Sequence, residues 1–201
     1  MTNNNQKYVK RLREKALEIN DVELTFLVNK LLAERDKILN DLKLDALTGM
    51  YNRNILDDIL NYSVVVMCDI DDFKNINDTF GHNAGDMALK TLSKTLVTNT
   101  RIYDYICRYG GDEFLIIFDD CNLDVVYNRI QRIKEDLSRP VRNEKFSINI
   151  SVGIAQRSDG ESLEDTIMNA DIALYESKNS GKNQISVYNP EKPLKLVRKA
   201  N

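Results

Sequence analysis

The sequence predicts an α/β (α+β) chain: a central mixed, mainly antiparallel sheet of about five strands, covered by helices and preceded by an N-terminal helical segment. Three observations carry this. YDYICRYGGDEFLIIF sets two apolar runs around a Gly-Gly turn, the strongest hairpin signal in the chain. VVVMCDID at 64–71 is a short, β-branched apolar run of the kind that forms a buried strand. Around them the patterns alternate as helix, strand, helix, hairpin, helix, strand, helix, strand, the order of one sheet with helices laid on it. With 201 residues there is room for one sizeable core and an appendage.

Residues 6–42 hold no Gly and no Pro, and place Val9, Leu12, Ala16 and Ile19, then Leu24, Leu27, Leu31, Ile38 and Leu42 at helical spacing. The phase changes near Asn20, which with Glu23 resembles a capping box. The segment is therefore one long helix with a skip or a helical hairpin, and a coiled-coil dimer stalk stays open. DALTGMYNR leads to a short amphipathic helix through Ile55, Leu56 and Ile59. After strand 64–71, FKNINDTF is a short helix with Asp72 or Asp71 as its N-cap, and a second helix covers 83–98. Beyond the hairpin come helix 123–138 before Pro140, strand 146–156 with alternation in SINISVGIA, helix 162–179 ending at Gly181, and a last strand in NQISVY. The end, EKPLKLVRKAN, reads as a basic tail, so the expected segments are 1–44, 45–189 and 190–201.

Composition narrows the function classes. At 42% apolar and 29% charged the chain is ordinary globular protein, and a net charge of −3 gives no global reason to bind nucleic acid or an anionic membrane. The longest apolar runs are far too short to span a membrane, and MTNNNQKYVKRLREK lacks a signal-peptide core, so a cytoplasmic location is expected. Cys68, Cys107 and Cys121 form no CxxC pair and read as buried, inert thiols.

Acids crowd two places that the apolar pattern does not explain. VVVMCDID ends in Asp69, Asp71 and Asp72, and the two-residue period puts Asp69 and Asp71 on one face. An N-cap accounts for Asp72 or Asp71 but leaves Asp69, still inside the apolar register, without a role. Asp112 and Glu113 follow the glycines, which can adopt positive φ and let a ligand approach the backbone. If the hairpin lies beside the strand of Asp69, three carboxylates converge at one sheet edge. They repel unless a hard cation joins them, and Mg²⁺, which takes one or two carboxylates plus substrate phosphates, suits the place. The other reading is a polar hairpin tip, since Gly-Gly-Asp is good turn chemistry by itself. DIDDFKNINDTF is not an EF-hand loop, because Lys74 stands where the loop needs Gly and Phe80 where it needs Glu. His82, the only histidine, reads as a structural hydrogen-bonder rather than a base.

RYGGDEF is the signature of the GGDEF family, the diguanylate cyclases, and the chain resembles that family from about residue 45 to 188. DALTGMYNR (45–53), DIDDFKNINDTFGHNAGD (69–86), SVGIA (151–155) and ADIALYESKNSGKN (170–183) are similar to further family stretches in order and spacing. The resemblance implies a fold like the cyclase and polymerase palm. It also implies the joining of two GTP into cyclic di-GMP with release of two pyrophosphates, by a homodimer holding one GTP per subunit and Mg²⁺, or Mn²⁺, as cofactor. Asp69, the Ile70 carbonyl, Asp112 and Glu113 would hold metal. Asn77 and Asp86 would read guanine, and Gly110 and Gly111 would admit the nucleotide. Lys178, Lys182 and the Phe73-Lys74 backbone would hold phosphates. Asp112, Glu113 and Lys178 would form the catalytic set, with a hairpin carboxylate or a metal-bound hydroxide as the base.

Physical chemistry agrees with these roles. Asp86 can accept from both N1–H and N2–H₂ of guanine, a pair adenine lacks. Phosphates suit amides at a helix start. Lys178 and Lys182, four apart near a helix end, otherwise read as macrodipole complements. Arg101-Ile-Tyr-Asp104 stands where the family carries its RxxD product-inhibition site, with Arg132 as second arginine and Arg129 as rival; the bland alternative is a surface ion pair. Two departures stand out: the chain between Arg53 and Asp69 is shorter than is usual for the family, and Met50 replaces a common Leu. The first 44 residues resemble no sensor domain. The competing readings are a non-catalytic cyclic di-GMP receptor using Arg101 and Asp104, and an interaction scaffold built on the N-terminal helices.

Overall fold

The Gly-free, Pro-free run near the start is helical where the structure, a computed structural model, describes it. Residues 10–11, 14–15, 22–41, 43–141 and 146–191 are described, and they fall into two units, 1–60 and 61–201. In the first, α1 (Val22–Asp41) buries Leu32 and leaves Phe26, Leu27, Leu31 and Ile38 exposed. The proposed cap at Asn20, the phase change beside it and the basic tail after Glu191 lie outside the described residues. The choice between a long helix and a hairpin lies there too.

Asp45 closes the turn after α1: its Oδ1 accepts from the Thr48 N–H at 2.9 Å and the Thr48 hydroxyl at 2.7 Å. Gly49, at φ 71°, lets the chain reverse so that the Asp45 N–H donates to the Met50 carbonyl at 2.8 Å. β1 (Tyr51–Asn52) follows. The amphipathic helix expected next is instead a 3₁₀ helix, Arg53–Asp58. The reason is length: the Asn52 side chain caps it by accepting from the Asn54 N–H at 2.9 Å, Ile59 is already extended, and the Ile59 N–H closes onto the Leu56 carbonyl three residues back.

In the second unit β2 (Val64–Ile70) is buried at all seven positions, which demands strand partners on both edges and cover on both faces. α2 (Phe73–Phe80) and α3 (His82–Asn99) follow, joined by Gly81 at φ 86°. α3 buries Ala84, Ala88, Leu89, Leu92 and Leu96 at helical spacing. The expected hairpin is β3 (Tyr105–Arg108) and β4 (Glu113–Phe118). α4 (Leu123–Leu137) is capped by Asn122, which accepts from the Val125 N–H at 2.9 Å, and buries Val126, Ile130, Ile133 and Leu137.

β5 (Ile150–Gln156) starts later than the alternation in its sequence suggests. Phe146 and Ile148 are buried and Ser147 and Asn149 exposed, but Ile150–Ala155 are buried without a break. The alternation marks an approach to the sheet; the strand proper is covered on both sides. α5 (Leu163–Asn179) makes one of those covers, and Gly153 permits it: a Cβ there would stand 2.0 Å from the Ala170 carbonyl oxygen and 2.1 Å from the Leu174 nitrogen. β6 (Ile185–Val187) ends the sheet. The strands of this unit lie in the order β3-β4-β2-β5-β6, with β5 and β6 parallel and the other pairs antiparallel, so the mixed, mainly antiparallel expectation holds.

Candidate active site

Register brings the acids together. Asp69, next to last in β2, lies opposite Glu113 of β4 on one side and Ser151 of β5 on the other, and the Ile70 N–H donates to the Asp112 carbonyl at 3.3 Å. The Asp69 side chain is nearly buried, and its Oδ2 lies 2.7 Å from Nζ of Lys178 in the last turn of α5. Burial pushes the Asp69 carboxyl up to about 6; Lys178 pulls it back, and the charges of Asp112 and Glu113 raise it again. Three carboxylates thus share one field with one ammonium among them. Among the described residues no three His, Cys, Asp or Glu side chains form a ready-made metal cage. Buried Asp69 beside the hairpin acids fits instead a cation that takes one or two carboxylates and completes its shell with phosphate and water.

The hairpin glycines work differently from the sequence expectation. Neither Gly110 nor Gly111 is at positive φ; the glycines that are, among the described residues, are Gly49, Gly81, Gly160 and Gly181. The turn is held by hydrogen bonds instead. The Tyr109 and Gly110 N–H groups both donate to the Glu113 carbonyl, at 2.8 and 3.2 Å, and the Arg108 guanidinium donates twice to the Gly111 carbonyl, at 3.1 and 2.7 Å. What the glycines supply is room. A Cβ on Gly110 would meet the Glu113 carboxylate at 2.4 Å, and Gly111 faces open space.

The cap of α2 is a second correction. Asp72 occupies the N-cap position at φ 55°, a left-handed conformation, and makes no capping hydrogen bond; side-chain caps act from extended backbone. Its Oδ1 instead accepts from Lys182 Nζ at 2.6 Å. Asp71, the other candidate, is buried and accepts from the Ser151 hydroxyl at 2.6 Å and the Asn183 N–H at 2.8 Å. The first amides of α2, those of Phe73 and Lys74 included, therefore have no side-chain cap, and Lys182 stands beside them. Lys178 and Lys182 are more than macrodipole complements, since each reaches an acid at the end of β2.

Asn77 and Asp86 flank the α2–α3 junction. The Asn77 amide donates to the Phe73 carbonyl at 3.3 Å, and a Cβ on Gly85 would stand 2.1 Å from the Asn77 Oδ1. Gly85 thus keeps the Asn77 amide in place by having no side chain. Asp86 is exposed. His82 is exposed and its ring has no hydrogen-bond partner among the described residues, which corrects its reading as a structural hydrogen-bonder.

Arg101 and Asp104 form a closed turn at some distance in sequence from these groups. The Arg101 N–H donates to Asp104 Oδ2 at 2.7 Å and the Asp104 N–H to the Arg101 carbonyl at 3.0 Å. Asp104 is buried; its Oδ2 also accepts from the Arg129 guanidinium at 3.2 Å, and its Oδ1 has no hydrogen-bond partner among the described residues. Arg101, Arg129 and Arg132 line a cleft of about 520 Å³ with Thr98, Val125 and Asn128. Both rival arginines reach the cleft, and Arg129 is the one that binds Asp104. Of the thiols, Cys68 and Cys107 are buried and Cys121 partly so, and burial pushes the Cys68 thiol up to about 12.

Sequence reasoning missed one group of contacts, the grip of Asp71 and Lys134 on Asn183. Ser151, a hydroxyl within a buried apolar strand, was its one local signal.

Comparisons with known proteins bear on the family of this chain. The family model described as "Diguanylate cyclase, GGDEF domain" matches residues 42–184. Diguanylate cyclase A of Treponema denticola is 39% identical over 127 residues, 61% of this chain and 34% of that protein. Diguanylate cyclase DosC of Escherichia coli is 31% identical over 164 residues, 74% of this chain and 36% of that protein. The chain spans about a third of the length of the curated relatives it matches. Among solved structures, the coiled coil and GGDEF domain of DgcB from Caulobacter crescentus, in complex with c-di-GMP, superposes with a TM-score of 0.74 at 30% identity, covering 86% of this chain and 99% of that one.

Proposed function

Because the chain belongs to the diguanylate cyclase GGDEF-domain family, we propose that it condenses two GTP into cyclic di-GMP, releasing two pyrophosphates, as a homodimer with residues 45–189 as the catalytic domain. The observation that carries this is the meeting of Asp69, Lys178 and the hairpin acids beside a helix start without a side-chain cap.

In this reading the Phe73 and Lys74 amides and the Lys178 and Lys182 ammonium groups hold the phosphates. Asn77 and Asp86 hold the guanine, and Asp86 excludes adenine, which lacks the donors it would accept. Asp69, the Ile70 carbonyl, Asp112 and Glu113 would hold Mg²⁺, or Mn²⁺, which when bound would neutralise charge on the reacting phosphates. The 3′-oxygen of one GTP bonds to the α-phosphorus of the other, the α–β anhydride bond breaks, and pyrophosphate leaves. The hydroxyl proton passes to a hairpin carboxylate, and Lys178 offsets charge on the departing group. The same exchange in the other direction closes the ring. Each protomer supplies half, and the apolar side chains exposed on α1 support pairing.

The cleft of Arg101, Arg129 and Arg132 suits a guanine-bearing product with two phosphodiester groups, so the same reading includes product inhibition. Among the described residues no helix is long and apolar enough to cross a membrane; a cytoplasmic location without a nucleic-acid partner is part of the proposal. Incubating purified protein with GTP and Mg²⁺, with Mn²⁺ in parallel, and resolving products by chromatography tests it. Cyclic di-GMP should form, and Asp112→Ala should stop its formation with the fold intact by circular dichroism. No product at any protein concentration, together with binding of added cyclic di-GMP, would favour the receptor reading.

A further inference from the structure

Gly181, Lys182 and Asn183 are three successive residues at positive φ, 113°, 61° and 48°. For the two with side chains this conformation is costly and persists only where the surroundings hold it. They do so at Asn183, where both backbone polar groups are gripped. Its N–H donates to Asp71 Oδ2 at 2.8 Å, and its carbonyl accepts from Lys134 Nζ at 2.5 Å. Asp71 cannot swing away: it is 8% exposed, its Oδ1 accepts the Ser151 hydroxyl at 2.6 Å, and its own N–H donates to the Asn149 carbonyl at 2.9 Å. One residue before the gripped group, the Lys182 N–H closes onto the Ser177 carbonyl at 3.1 Å while its ammonium meets Asp72 at 2.6 Å, beside the uncapped start of α2.

We infer that Asp71 is a positioning residue: by tying the Asn183 N–H to β5 it sets the left-handed turn that carries Lys182, and with it the place of the ammonium that meets the outer phosphates of GTP. The inference rests on the GTP reading of the site. Asp71 touches no phosphate itself and acts through Lys182. Lys134, on α4, holds the other side of the same residue. A role in general packing would weaken every ligand alike. A role through Lys182 weakens only ligands that carry the outer phosphates.

The test compares a GTP analogue whose α- and β-phosphorus atoms are bridged by methylene, which cannot release pyrophosphate, with GMP, which lacks the outer phosphates. Binding of each is measured by titration calorimetry in Mg²⁺. Asp71→Ala should lose about tenfold in affinity for the analogue and leave GMP unchanged. Asp71→Asn, still able to accept one of the two hydrogen bonds, should lose less. Asp71→Ala combined with Lys182→Ala should lose no more than Lys182→Ala alone, because the two act on one contact. Equal losses for analogue and GMP, or additive losses in the double variant, would overturn the inference. Should Asp71→Ala fail to fold, Lys134→Ala carries the same comparison from a partly exposed position: a selective loss supports the inference and no loss overturns it. Wild-type protein that does not bind the analogue would sink the GTP reading itself, a different result from normal wild-type binding with no selective loss in the variants.

Discussion

Lys178 Nζ stands 2.7 Å from Asp69 Oδ2, joining the last turn of α5 to the end of β2. One cation there faces the field of three carboxylates, and burial still holds the Asp69 carboxyl up at about 6 rather than 3.8. Because the folded value is the higher one, this group's contribution to stability is fully present below pH 3.8 and is lost as pH rises through 6. Ionising Asp69 at neutral pH therefore works against its burial, and in the proposed reading a bound cation would offset that cost.

Asp69→Asn tests that strain. The gap between 3.8 and about 6 corresponds to on the order of 3 kcal/mol. Between pH 4 and 7.5 the wild-type protein should lose stability that the variant retains, read as a smaller fall in the denaturant midpoint across that range. Mg²⁺ should raise the wild-type midpoint at pH 7.5 and leave that of the variant unchanged. Cyclase activity of the variant should be absent, so stability and activity move in opposite directions.

Gly85 predicts a second separation. A methyl group there would collide with the Asn77 amide oxygen at 2.1 Å, and Asn77 is half-buried against Phe73, so the amide must turn out of its place. Gly85→Ala should raise KM for GTP about tenfold with a smaller change in kcat, since a guanine contact of the kind proposed for Asn77 would bind substrate and transition state alike. Asp86→Ala should act on selectivity, narrowing the preference for GTP over ATP by a factor on the order of 100. Steady-state kinetics with both nucleotides distinguishes the two effects.

How far these features were legible follows from where their causes lie. β2 and the hairpin announce themselves because their signals are local: an apolar run in one, two runs around glycines in the other. The convergence of Asp69 with Asp112 and Glu113 needs only the antiparallel register of those same strands. The cap of α2 could not be read the same way, because Asp72 takes its left-handed conformation opposite Lys182, more than a hundred residues on, and Asp71 turns to Ser151 and Asn183. Gly153 has the same character. Nothing in SVGIA tells that a helix backbone will lie within 2.1 Å of an added Cβ.

The two arginines near Asp104 should separate by role. Arg129 binds a buried carboxylate whose other oxygen has no hydrogen-bond partner among the described residues, so Arg129→Ala should cost about 2 kcal/mol in stability, read by chemical denaturation. Arg132 lines the cleft, and the guanidinium that pairs with Asp104 is that of Arg129. Arg132→Ala should leave stability within about 0.5 kcal/mol and weaken cyclic di-GMP binding, with relief of product inhibition at high product concentration. Unchanged inhibition in both Arg101→Ala and Arg132→Ala would place the inhibitory site elsewhere.

The proposed condensation needs a second copy, and the exposed apolar side chains of α1 suggest what would hold the copies together. Phe26, Leu27, Leu31 and Ile38 are exposed on this helix, while Leu32 is buried. In water such a stripe gains by pairing, each side chain contributing on the order of 1 kcal/mol when covered. Specific activity should therefore rise with protein concentration and level off once dimers dominate. Leu31→Glu with Phe26→Glu introduces charge on the exposed apolar side chains and should shift that curve to higher concentration, while the activity at saturation should stay near that of the wild type, since the proposed GTP site uses neither residue. Sedimentation velocity over the same concentration range should follow the activity curve. If activity per molecule is flat while the protein sediments as a monomer, the homodimer is wrong and both GTP molecules must bind one chain.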